Sequence, residues 1–257
     1  MNWATAEQRL STPAPRRFAP RHRWDRNFFL LIVALIALGV FAGFGMDMYA
    51  HFTEHEAPFP SIIRIHGPVF GCWLVLLIVQ VLLIRSRRVD LHRALGIAGA
   101  VLAGIMVVLG AVTALTVQSL DFAQTGKSPV FIAVQFTDIL AFATLIGAAL
   151  LWRRDAATHK RLVLLATLYI SDAGFVRLLG PELTAAFGAG FWGRGAHLYL
   201  SNDVLALGIG AYDLLTRGRL HPAYLAGLGW TLALQLTALT LLFSPWWSPI
   251  ALHLIGR

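Results

Sequence analysis

The chain has 257 residues, of which 57% are hydrophobic and 13% charged, with a mean hydropathy of +0.67; soluble domains are roughly 45–50% apolar. That balance excludes an ordinary soluble enzyme. The formal charge of +8 is carried in short basic clusters between apolar runs, which reads as membrane topology and excludes nucleic acid as a partner. The single cysteine, Cys72, excludes an internal disulfide and any Cys-rich zinc or iron–sulfur site.

Residues 1–27 carry six arginines and three prolines without an apolar stretch, and are expected to form a basic flexible cytoplasmic tail instead of a cleaved signal peptide. Seven apolar runs follow, each about long enough to cross a bilayer: 28–49, 62–84, 93–117, 130–151, 161–179, 197–215 and 223–243. Residues 244–257 form a short tail at the outer face. The expected architecture is all-α, a polytopic membrane bundle of seven transmembrane helices over 28–243 with no soluble domain.

Orientation follows from the basic residues. The tail, Arg85, Arg87, Arg88 and Arg93, then Arg153, Arg154, Lys160 and Arg161, then Arg217 and Arg219 place sixteen of 21 Lys and Arg on one side. By the positive-inside rule that side, with the N-terminus, is cytoplasmic. Trp192, Trp246 and Trp247 fall at the expected outer boundary and Trp152 at the inner one, as interfacial anchors.

An ionisable side chain inside a span is a functional hypothesis with a partner to be found. Near the outside lie His66, Asp138, Asp172, Arg177, His197 and Asp203; near the cytoplasm lie His92 and His159. Asp138 and Asp172 fall on the order of 10 Å below the outer ends of their helices, too deep for a short side chain to reach water. Arg177 is expected to pair with Asp138 or Asp203 from another helix, as a structural ion pair.

Helical spacing gathers these residues into stripes. His66, Phe70, Trp73, Leu77 and Gln80 form one inward stripe on the second span. His92, Gly96, Gly99, Ala103, Met106, Gly110 and Thr113 form another on the third, where small residues permit either close helix packing or a flat cofactor. His197, Ser201, Val204, Gly208 and Ala211 share a face of the sixth.

Pairing the layers gives His66 with His197 outside and His92 with His159 inside, each pair drawn from two helices. Two imidazoles facing each other at equal depth are what bis-histidine ligation of haem b requires. The rival chemistry is zinc, with His66 and His197 joined by Asp138, Asp172 or Asp203 and an open position for water. The outer loop His51-Phe52-Thr53-Glu54-His55-Glu56 could add ligands, though exposed clusters of this kind are usually solvated. Nothing matches a phosphate-binding loop or a serine-hydrolase elbow.

Several strings occur together: Arg64-Ile65-His66-Gly67, then Leu91-His92-Arg93-Ala94-Leu95-Gly96, then His159-Lys160-Arg161-Leu162, then Tyr212-Asp213-Leu214 with Arg217-Gly218-Arg219 and His221-Pro222. In these strings, over roughly residues 28–225, the chain resembles an uncharacterised bacterial multi-pass membrane protein family with H-G, L-H-R-x-L-G, H-K-R-L and R-G-R-x-H-P motifs. That resemblance implies a bacterial inner (plasma) membrane location and no particular activity. The histidine layout is also distantly similar to transmembrane dihaem b-type cytochromes. This implies electron transfer with a quinone or another membrane redox protein, although seven spans and inner histidines set in basic sequence depart from that scheme.

Three function classes follow: a b-type haem redox protein or haem/oxidase accessory, a zinc-dependent membrane hydrolase, and a non-enzymatic assembly or transport component. Reporter fusions at Gln124 and Arg219 are expected on opposite membrane faces; appearance on the same face would overturn the topology.

Overall fold

A computed structural model describes residues 18–55 and 58–257. Arg9, Arg16 and Arg17 of the basic tail, and Glu56 of the outer loop, lie outside the described residues. Among the described residues the chain is helical throughout, with no strand. The helices are α1 (Asp25–Thr53), α2 (Ser61–Arg85), α3 (Val89–Thr125), α4 (Ile132–Leu151), α5 (Ala156–Ile170), α6 (Asp172–Phe187), α7 (Phe191–Arg217), α8 (Pro222–Leu242) and α9 (Trp247–Leu254).

Five of these, α1, α2, α3, α4 and α8, are long and apolar enough to cross a membrane, and α5 with α6 makes a sixth crossing if the two are one broken span. The protein is therefore a multi-pass helical membrane protein whose apolar surface meets lipid. The α7 helix is long, 27 residues, but carries Arg194, Asp203, Asp213 and Arg217, which is why apolarity alone does not single it out.

The loops carry the signals that end helices. Gly126 and Gly218 stop α3 and α7 in the left-handed region, each with φ of 69°, where a side chain would be strained. Asp155 caps α5 by accepting hydrogen bonds from the Ala157 and Thr158 amides, at 2.9 and 3.4 Å. Burial opposes its charge, but the Thr158 hydroxyl and these amides outweigh it and hold the carboxyl below its ordinary value. His221 caps α8 through Nδ1, which accepts from the Ala223 amide at 3.2 Å, with Pro222 in the first turn. Burial first, and then the nearby Arg161 guanidinium, lower the His221 pKa, favouring the neutral imidazole that can accept this bond.

α4 is the central helix, packed on α3, α5 and α8, while α6 bridges α1 and α7. The larger apolar core joins Ile32, Val33 and Ile36 of α1, Trp73 and Leu77 of α2, Phe142 and Leu145 of α4, Leu162 and Leu165 of α5, and Ile209 of α7. A smaller one gathers Val134, Ala141, Tyr169, Leu198, Tyr199, Leu234 and Leu239. The stripe on α3 is a packing surface: a Cβ on Gly110 would lie 3.2 Å from Ile139, and one on Gly99 would lie 3.0 Å from Leu76. The stripe proposed on the sixth span is not the interior face of α7. Val204 is 57% exposed, and the buried side is instead Leu198, Asn202, Ala206, Ile209 and Asp213.

The expected straight span 161–179 is broken. α5 stops at Ile170, Ser171 adopts φ −96° and ψ 0°, and α6 leaves at 54° to α5. The Ser171 hydroxyl donates back to the Thr167 carbonyl at 2.6 Å, a bond that competes with regular helix geometry. The break leaves backbone groups that lipid cannot satisfy. The Leu168 carbonyl accepts from the Ser171 amide at 3.1 Å and from Nδ2 of Asn202 on α7 at 2.8 Å.

Just beyond the break, α6 crosses α1 closely enough to exclude side chains. A Cβ on Gly43 would come within 2.0 Å of the Gly174 carbonyl oxygen, and one on Gly174 within 2.6 Å of the Val40 Cα. Small residues let transmembrane backbones approach in this way. Gly43→Val is therefore expected to force α1 from α6 and lower stability by about 1–3 kcal/mol. An unchanged thermal unfolding midpoint in detergent would contradict this crossing.

Candidate functional site

Three polar assemblies lie inside the bundle. The first is at the break. Asp138 of α4 and Asp172, the first residue of α6, are both buried, at 8% and 5% exposure, and their carboxyl groups lie within electrostatic reach of each other. Asp172 Oδ1 also accepts from the Ala173 amide at 2.6 Å. Tyr169 of α5 and Tyr199 of α7 stack beside the pair with ring centroids 6.0 Å apart, and both lie within electrostatic reach of Asp138 and Asp172.

This assembly is unsaturated. Asp138 Oδ1, the Tyr169 and Tyr199 hydroxyls and Asn202 Oδ1 are all buried without a hydrogen-bond partner. Orphaned polar atoms are rare in protein interiors, and several in one place make this the candidate site. Asp203 sits one step away: its Oδ1 accepts from Gln235 Nε2 of α8 at 2.8 Å.

Arg177 makes no hydrogen bond to it, although its charge reaches Asp172. Its Nε donates to Asp47 of α1 at 3.0 Å, the guanidinium covers the Phe44 ring at 4.4 Å, and both members of the ion pair are substantially exposed. The expected partners were Asp138 or Asp203. The observed partner differs because Arg177 lies on the exposed flank of α6, turned toward α1.

Of the two histidine pairs, one is brought together. His92 and His159 have ring centroids 6.4 Å apart and planes at 86°. His159 Nδ1 bonds the Ala149 carbonyl of α4 at 2.8 Å, whereas His92 Nδ1 is buried without a partner. His66 stacks on Phe70 of its own helix at 3.9 Å. His197 Nδ1 meets the Thr184 hydroxyl at 2.8 Å and the Gly180 carbonyl at 3.0 Å, both on α6. Their helices do not form a packed pair: α2 packs on α1 and α3, and α7 on α5, α6 and α8. Among the described residues no three His, Cys, Asp or Glu side chains converge as metal ligands, so the zinc set of His66, His197 and an aspartate is not assembled.

The third assembly joins the ends of α1, α5 and α7. Arg161 has no exposed surface, and its Nε and Nη2 donate side-on to the two oxygens of Asp213, which is equally buried, with the Nε bond at 2.7 Å. Its Nη1 donates to the Ala157 carbonyl at 2.7 Å. Asp25 receives Lys160 at 2.7 Å, the Tyr212 hydroxyl at 2.7 Å and Arg217 through both oxygens, at 2.7 and 2.9 Å. Phe18 covers Arg161 and Arg217, with guanidinium carbons 4.8 and 5.2 Å from its ring centroid.

The short strings of the sequence thus have separate structural addresses. In His159-Lys160-Arg161 each side chain binds a different partner, α4 and His92 for the first, α1 for the second, α7 for the third. In the sequence Lys160, Arg161 and Arg217 serve as cytoplasmic-side topology charges, and neither Asp25 nor Asp213 stands out as their partner; the structure pairs them. The signal available was Asp213 inside an apolar run, four residues before Arg217. Comparisons with family profiles, curated proteins and solved structures give no match.

Arg161→Ala strands a buried carboxylate and is expected to cost about 3–5 kcal/mol, whereas Arg161→Met with Asp213→Leu, which removes both charges, is expected to cost less. Arg177→Ala, at an exposed pair, should cost about 1 kcal/mol or less. Thermal unfolding in detergent gives the order, and a protein more sensitive at Arg177 than at Arg161 would refute it.

Proposed function

We propose that this protein carries protons within the membrane, as a transport component whose working group is the Asp138–Asp172 pair. It is built as seven spans with the N-terminus in the cytoplasm of a bacterium. The seventh crossing is α7, whose 27 residues extend about 40 Å at helical rise. The charge asymmetry of the loops supports the orientation.

The observation that carries the reading is the carboxyl pair at the broken helix. Asp138 and Asp172 are both buried and stand within electrostatic reach of each other, on two different helices beside the break. In a low-dielectric interior, two ionised carboxylates within reach of each other repel strongly, which favours one of them keeping its proton. On this reading the pair shares one proton, and the Tyr169 and Tyr199 hydroxyls, which stand near both the pair and Thr137, are the adjacent groups through which it would leave. Discontinuous helices recur at transport sites because freed backbone and a flexible joint occur together there.

Toward the Arg161 end, Leu165, Ile209 and Tyr224 are fully buried and close the route. Passage requires a rearrangement, and the joint at Ser171 is the hinge this reading assigns to it. Asp203, tied to Gln235, serves as a neighbouring acceptor.

The test is proton uptake by proteoliposomes holding a pH-sensitive dye, under a potassium diffusion potential. Wild type is expected to acidify the lumen, with Asp138→Asn and Asp172→Asn at least tenfold slower, roughly the loss expected when a proton-transfer group is removed. Equal rates in wild type and the double variant, or no uptake by folded wild type, would overturn the reading.

A further inference from the structure

We infer that His92 and His159 are the two protein ligands of one metal centre, on opposite sides of it, and that the iron of a haem is the centre this geometry favours. The inference uses none of the carboxyls of the proton site and stands or falls separately.

Spacing is the first ground. At metal–nitrogen distances of about 2 Å, two imidazoles on opposite sides of one ion have ring centroids roughly 6 Å apart, and at a tetrahedral angle nearer 5 Å. The observed 6.4 Å, with ring planes at 86°, fits the opposed arrangement. An opposed pair leaves the equatorial positions to other donors. No third His, Cys, Asp or Glu converges there among the described residues, and a porphyrin brings four nitrogens of its own.

The second ground is the state of the ring nitrogens. The Ala149 carbonyl can only accept, so His159 Nδ1 donates to it and Nε2 carries the free lone pair. A backbone carbonyl fixing one ring nitrogen is the usual way a ligating histidine is oriented. His92 lies beside the Gln80 backbone, but its Nδ1 makes no hydrogen bond, and Gln80 Oε1 is a second buried orphan. Of the basic neighbours, Lys160 is paired with Asp25 and Arg161 with Asp213, while the charge of Arg93 reaches His92 and opposes a cation there.

The experiment uses full-length protein in detergent, titrated with hemin and, separately, with Cu+ and Zn2+. Hemin is expected to bind one to one and give the absorption of a six-coordinate b-type haem. His92→Ala and His159→Ala should each weaken binding by about tenfold or more, while His66→Ala and His197→Ala leave it unchanged. His159→Gly with added imidazole should recover the spectrum, which a merely structural role for this residue would not produce. Stoichiometric binding of a bare ion that the same two variants abolish would support the site with a free ion as its source. Binding of none of the three probes by folded wild type, or equal binding by the His92→Ala, His159→Ala double variant, would overturn it.

Discussion

Arg161 is a guanidinium with no access to water, and the structure around it exists in the form it does because that charge has to be met. Asp213 supplies the countercharge through two parallel hydrogen bonds, and the Ala157 carbonyl takes a third donor. Desolvating the two ions costs several kcal/mol each, and only such geometry offsets it. The pair ties α5 to α7, and Arg217, 3.6 Å from Asp213, extends the network to Asp25 and α1. Three helices distant in sequence are thereby fixed in register at one end of the bundle.

The other half of the bundle is arranged in the opposite sense. Where the Arg161 network satisfies its donors and acceptors, the carboxyl pair at Ser171 leaves hydroxyl and amide oxygens unmatched. Both regions are polar and buried, and they differ in how far their hydrogen-bonding groups are matched: a completed network specifies a packing, whereas an incomplete one leaves polar atoms without partners. The close approach of Gly43 and Gly174 holds α6 against α1 directly beside the break. The joint is thus flanked by a tight contact on one side and by Asn202 on the other.

Between these regions the protein behaves as a helical bundle in lipid should. Phe142, Leu145, Leu165 and Ile209 fill the centre, while apolar residues such as Leu38, Ile97 and Val108 face outward, where the hydrocarbon accepts them at no penalty. Since lipid is as apolar as the core, burial of leucine does not by itself decide which helix faces meet. Polar bonds between helices do, such as Trp73 Nε1 to the Thr167 hydroxyl at 3.2 Å, between α2 and α5.

The sequence by itself determined the solvent and the elements. Apolar runs of bilayer length dictate helices because backbone polar groups in lipid must be satisfied within the segment, and glycine, proline and charge mark the turns. It also showed which side chains were out of place, Asp138, Asp172 and the histidines among them, because their cost in hydrocarbon does not depend on neighbours. What it could not supply was partnership. Helical periodicity fixes a residue's face and depth but not which helix stands opposite, so Arg177 fell to Asp47, His92 met His159 while His66 and His197 stayed on separate pairs of helices, and Lys160 and Arg161 turned inward to Asp25 and Asp213. The bend at Ser171 was hidden for the same reason: a serine inside an apolar run is compatible with a straight helix, and only the fold brings Asn202 of another helix against the Leu168 carbonyl beside the bend.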